Sequence, residues 1–117
     1  MSHLELIVDR QLRDGRFVVL NNSDCEIPLA STFDALQSRQ GSRDGDGFNW
    51  LAVAPTKRVA LTVSSIDSSA QTSESIPTGH NAAVKLEGIG IEHILQDLQD
   101  KQQGVYVFLY QAPVAEA

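Results

Sequence analysis

The sequence predicts a mainly β fold: a small antiparallel β-barrel, or a compact sandwich, with one helix near the C-terminus. Short runs rich in β-branched and aromatic residues recur along the chain, separated by clusters of Gly, Asn, Asp and Ser. The apolar period changes to that of a helix only once, over residues 91–102. Helices do not alternate with strands, which disfavours a parallel α/β sheet.

Leu4-Glu5-Leu6-Ile7-Val8 and Arg16-Phe17-Val18-Val19-Leu20 flank an Asp14-Gly15 turn and read as a β-hairpin. Asn21 to Asp24 carry turn chemistry, because their side chains bond nearby backbone groups. Cys25 to Leu29 reads as a short edge strand, since Pro28 has no N–H to donate to a ladder. Thr32 to Leu36 fits a strand or one helical turn. Residues 37–47 hold three glycines and almost nothing apolar, and are expected to be a flexible loop. Apolar content resumes at Phe48 to Val53. Arg58 to Ile66 alternates most cleanly, with Val59, Leu61 and Val63 on one face. Residues 67–75 read as a polar loop, Ile76 to Gly79 as a turn, and Asn81 to Glu87 as a strand ended by Gly88.

Ile91, Ile94, Leu95 and Leu98 form an apolar stripe on a helix, with Asp97 and Lys101 spaced to pair. Gly104 stops that helix, Val105 to Tyr110 reads as a buried closing strand, and Gln111 to Ala117 as a frayed tail. The whole of 1–117 reads as a single domain, long enough to bury a core without staples.

Fifteen acids face nine bases, for a net charge of −6, and the bases are scattered. Phosphate backbones demand clustered Lys and Arg, so strong nucleic-acid binding by this chain alone is not expected. The single cysteine, Cys25, excludes an internal disulfide. The first residues lack the pattern of a signal peptide, and no apolar run approaches the roughly 20 residues of a membrane helix. Together these features predict a cytoplasmic protein with no membrane association. Asn21-Asn22-Ser23 matches a glycosylation acceptor, which such a location would leave unused.

Catalytic and metal chemistry find little support. Gly88-Ile89-Gly90 is a lone Gly-x-Gly, and a turn between strand and helix accounts for it. Asp44-Gly45-Asp46-Gly47 has the spacing of a calcium loop, but the twelfth position is Val53 rather than a bidentate Glu. His3, His80 and His93 form no ligand pair. No nucleophile elbow surrounds a serine, and Cys25 has no recognisable base. The expectation is therefore a non-enzymatic protein without cofactor or metal. Phe48 and Trp50 stand two apart, so on a strand they share a side. Core packing is their ordinary role, and a partner-binding patch the alternative.

Residues 76–89, Ile-Pro-Thr-Gly-His-Asn-Ala-Ala-Val-Lys-Leu-Glu-Gly-Ile, resemble a segment of the domain II β-barrel of elongation factor Tu-like translation GTPases. Gly79, Asn81, Val84, Leu86, Gly88 and Ile89 carry the match. In that pattern Gly79 frees the backbone for a tight turn, Asn81 caps it, and Val84 and Leu86 fill one barrel face. Strand order agrees more loosely over 4–95. The chain carries no GTPase domain, and its final helix and strand are longer than that barrel's usual close. The resemblance implies a stand-alone, domain II-like binding module, which in the family docks RNA. No residue of the family's RNA pocket matches this chain, and none is carried over.

The site expected from the sequence joins the Gly79, His80 and Asn81 turn with Phe48 and Trp50, facing a protein or ribonucleoprotein. The rival reading is a small acidic adaptor, inhibitor or immunity-type protein that contacts another protein through 37–47 and the aromatics. An enzyme using His80 or His93 with a carboxylate is a third. Oligomeric state is not legible.

Overall fold

The computed structural model describes residues 3–45, 47–69 and 71–112, the side chains of Asp44 and Phe48 excepted. Strands β1 (Glu5–Gln11) and β2 (Phe17–Asn21) form the expected first hairpin. A two-residue ribbon pairs β3 (Ile27–Pro28) with β8 (Ser75–Ile76). Strands β4 (Thr32–Asp44) and β5 (Gly47–Ala52) make a long hairpin, and β6 (Lys57–Ser68) another with β7 (Gln71–Ser73). Strand β9 (Asn81–Ile89), helix α1 (Ile91–Asp100) and β10 (Val105–Tyr110) complete the chain.

Six strands join in a ring. The hydrogen-bonded order β4-β10-β1-β2-β9-β6 returns to β4, which pairs with β6 through residues 32–36 and with β10 through residues 35–40. Every pairing is antiparallel. The fold is thus the mainly β, antiparallel, barrel-like architecture with one late helix that the strand pattern predicts. Alternation turns Leu6, Val8, Phe17, Val19, Val84, Val107 and Leu109 into one shared core. It breaks where a register shift is needed to curve the wall. Between Phe33 and Ala35, and between Val63 and Ser65, a bulge resets which residues face inward, so Leu36 and Ile66 are buried out of phase.

Both ends of the barrel are closed. At one end α1 lays Ile94 into the core, with Ile91 and Leu98 packed beside it. Leu95, also in the apolar stripe, stays exposed. At the other end the β3–β8 ribbon inserts Ile27 and Ile76. Asn21 holds that end together. Its buried amide donates to the carbonyls of Ile76 (2.8 Å) and Cys25 (3.0 Å) and accepts the Ser23 N–H (2.8 Å). The bonds to Ile76 and Ser23 are buried, so they satisfy polar groups that would otherwise lie near the core without water.

Several expectations are corrected. Residues 37–44 are not a loop but the second half of β4, paired to β10 and β5. Polar composition misleads here because the hairpin arm needs no two-sided core. The expected loop at 67–75 likewise holds the end of β6, all of β7 and the start of β8. Gly88 does not end its strand: β9 continues through Ile89, and Gly88 lies opposite Leu61. Asp97 pairs with Lys57 rather than Lys101, which instead reaches the Asp9 carbonyl. Gln111 and Ala112 are not frayed, since Gln111 bonds Leu4 and Thr32 and the Ala112 N–H reaches Asp34. The rest of the expected tail, 113–117, lies outside the described residues.

The first hairpin is tied to the wall electrostatically. Arg16 bridges Asp14 (2.8 Å) and Asp67 (2.9 Å), and its backbone N–H donates to Asp14. That backbone bond, joined by the guanidinium, holds the Asp14 carboxyl below its ordinary value. The native state therefore favours the ionised form. The resulting stabilisation is complete above the unfolded aspartate value near about pH 4, and is lost as pH falls through the lower folded value. Asp14→Asn should consequently show a shallower acid-side loss of urea midpoint than the parent, and parallel curves would exclude the linkage.

Gly79 and Gly88 give a second expectation. Both have positive φ (77° and 135°), but a Cβ at Gly79 meets nothing, whereas one at Gly88 would sit 2.0 Å from the Ala60 carbonyl oxygen. Gly79→Ala should cost about 1–2 kcal/mol of backbone strain. Gly88→Ala should cost clearly more, on the order of 3 kcal/mol, because two paired strands must part. Equal urea midpoints for the two variants would show that this close approach is not what requires glycine at 88.

Candidate functional site

Strand β10 alternates aliphatic and aromatic residues. Val107 and Leu109 point into the barrel, and Tyr106, Phe108 and Tyr110 take the outer face. The outer aromatics are covered from the side by the β4–β5 hairpin. The Trp50 ring meets Phe108 edge-on with centroids 4.9 Å apart, and Tyr106 at 5.4 Å. Phe108 is fully buried although it faces away from the barrel core. Beside it the Arg39 guanidinium lies 4.5 Å from the Phe108 ring and 4.8 Å from Tyr110. Arg39 is fixed by Glu5 (3.0 Å) and Gln37 (2.8 Å), and a short chain through Thr56 reaches the Tyr110 hydroxyl.

This outer layer borders a groove of about 680 Å³. Ile7, Val18 and Leu20, half-buried on the outer face of β1 and β2, form its floor. Trp50 and Tyr106 form one wall, with Tyr106 41 % exposed. Asn81 and the Asp9–Arg10 ion pair contribute polar groups at its margin. The site is thus an open, largely apolar channel with an aromatic wall and one acid–base pair at its margin. A second hollow, of about 420 Å³, lies by the helix end, where Lys57 engages Asp97.

Two of the five residues expected from the sequence meet here, Trp50 and Asn81. Phe48 is on β5 by its backbone, opposite Arg43, and its side chain lies outside the described residues. Gly79 and His80 form the turn that leads into Asn81 without lining the groove. The Gly79 N–H bonds the Asn21 carbonyl, and the His80 carbonyl accepts from Asn21. The bracing role expected of Asn81 belongs to Asn21. Asn81 is exposed, whereas Asn21 is buried at the point where three segments need a donor or acceptor. The groove residues missed from sequence, Ile7, Val18, Leu20 and Tyr106, carried one signal: apolar residues on both faces of their strands.

Among the described residues, no three His, Cys, Asp or Glu side chains gather to hold a metal ion, and no ion pair involves His80 or His93. Among the described residues, no helix is long and apolar enough to cross a membrane. No protein-family model matches the chain, and no curated protein or solved structure is significantly similar to it.

The stacked arginine makes a stability test. Arg39→Ala removes a partly buried ion pair and two ring contacts, and should lower stability by about 1–3 kcal/mol. It should also change Trp50 fluorescence, since the hairpin rests on the same aromatics. Unaltered urea midpoint and emission would mean that the arginine does not fasten the arm.

Proposed function

We propose that this chain is a non-enzymatic module that binds a protein partner along the outer groove floored by Ile7, Val18 and Leu20 and walled by Trp50 and Tyr106. The observation that carries the reading is the groove itself, a solvent-open apolar channel flanked by Trp50 and Tyr106, whose rings meet edge-on, with Trp50 also packed against Phe108. Apolar floor and ordered aromatic anchors suit a folded or extended protein segment, since large rigid rings give contact area at little entropic cost. A net charge of −6 and a margin of one paired acid and base weigh against an RNA backbone. The reading agrees with the acidic adaptor class.

Kinship with translation-factor domain II is the finer form of the proposal. Its support is that the resembling segment 76–89 supplies β9, a wall strand of an antiparallel six-strand ring, with Gly79 at a positive-φ turn before it.

Val18→Asp tests the site with little risk to the core, because Val18 faces outward and is half-buried. In parallel capture from cell extract, the proteins retained by the parent should be lost, at least tenfold, with Val18→Asp and with Tyr106→Ala, while Val18→Asp keeps the parent's melting temperature. Nuclease treatment should leave capture unchanged. Retention by both variants would remove the groove from the proposal, and nuclease-sensitive capture would turn it toward RNA.

A further inference from the structure

We infer that the hollow at the helix end of the barrel binds a free α-amino acid, with its ammonium on Asp97 and its carboxylate on Lys57 and the Ser38 hydroxyl. The hollow measures about 420 Å³, within the roughly 300–1,000 Å³ of small-ligand sites. It shares no lining residue with the outer groove.

The inner rows of the wall turn polar at this mouth. On β4, Leu36 is fully buried, and Ser38, two residues on, faces the same way, opposite Val107 of the core. On β6, Lys57 continues the inner row of Leu61 and Val59 and lies opposite Leu36. Two positions that would extend the core thus hold a hydroxyl and an ammonium. Ser38 is nine-tenths buried, at 9 % exposed, and its hydroxyl has no hydrogen-bond partner among the described residues. No fully enclosed side-chain polar atom among those residues lacks a bond, so this hydroxyl opens onto the hollow that Ser38 lines.

The class of ligand follows from the charges. Lys57 donates one N–H to Oδ1 of Asp97, whose side chain is 11 % exposed. An ammonium has three donors and a carboxylate two acceptor oxygens, so each partner keeps capacity for a further bond. The pair therefore presents adjacent charges of opposite sign. Its complement is a second adjacent pair in reversed order, which an α-amino acid carries on a single carbon. A lone anion would meet Asp97 and Asp100, and a lone cation Lys57 and Lys101, all of which line the hollow. Helix α1 also ends here with no basic residue in its last turn, so its unmatched carbonyls favour the ligand's ammonium. A peptide separates its two termini and loses the match.

Titration of the full chain with each protein amino acid in turn, followed by backbone amide NMR, tests this. At least one should shift the amides of Ser38, Lys57 and Gln102 and approach saturation by about 10 mM. Its carboxamide, which lacks the carboxylate, and its N-acetyl form, which lacks the ammonium, should each bind at least tenfold more weakly. Ser38→Ala removes only the hydroxyl, and should weaken binding at least threefold with an unchanged fold. Lys57→Met should abolish binding. If Lys57→Met unfolds the chain, Ser38→Ala and the two blocked ligands decide. Val18→Asp should bind as the parent does, which separates this site from the outer groove. The absence of a saturable shift with any amino acid overturns the inference. Equal affinity for the carboxamide, or an unaffected Ser38→Ala, does the same.

Discussion

Everything in this molecule depends on β4 serving two neighbours on one side. Its first residues, 32–36, complete the wall against β6, and the later ones, 39–44, leave the wall and pair with β5, while β10 runs along the other side. Without the first pairing the six strands would be an open sheet with two long edges. With it, each wall strand has neighbours on both sides and the interior is sealed from water. The bulge between Phe33 and Ala35 lies within that pairing, and it permits both the curvature and the change of partner.

The same strand creates the outer surface. Because β4 outruns the barrel, β5 folds back as an arm whose Trp50 reaches across to β10. The arm turns the alternating aromatics of β10 from exposed side chains into a second, smaller packed layer, with Arg39 as its polar clasp. The groove is what remains uncovered beside that layer. Site and fold thus share one cause: a strand longer than the barrel requires.

The expectations that failed did so for one physical reason. Polar stretches at 37–44 and 67–73 read as loops because strand signals come from apolar side-chain burial, whereas these strands are held by backbone pairing and carry polar side chains, even where Ser38 is buried and Arg39 half-buried. The Asn81 and Asn21 exchange is similar. Both asparagines adjoin the same turn, and only the packing of the β3–β8 ribbon over Asn21 decides which amide is enclosed. The pairing of Asp97 with Lys57 instead of Lys101 again prefers a distant residue that the fold brings close. For the site, Trp50 was legible as an aromatic two residues from Phe48, and Asn81 as part of the Gly79–His80–Asn81 turn. Ile7, Val18 and Leu20 were not, since an apolar residue between apolar neighbours gives no sign of which face will be covered.

The sequence by itself determined the β-rich class, the first hairpin, the alternation of β6 and the helix after β9, all of which rest on local period and turn chemistry. It also determined the acidic charge balance, a net −6. Tertiary structure alone decided the closure of the ring, the places where bulges invert the inward face, the buried asparagine and the aromatic-walled groove. Each of those depends on which strands become neighbours across long stretches of chain, and the cost or gain of such neighbours has no trace in any short window of residues.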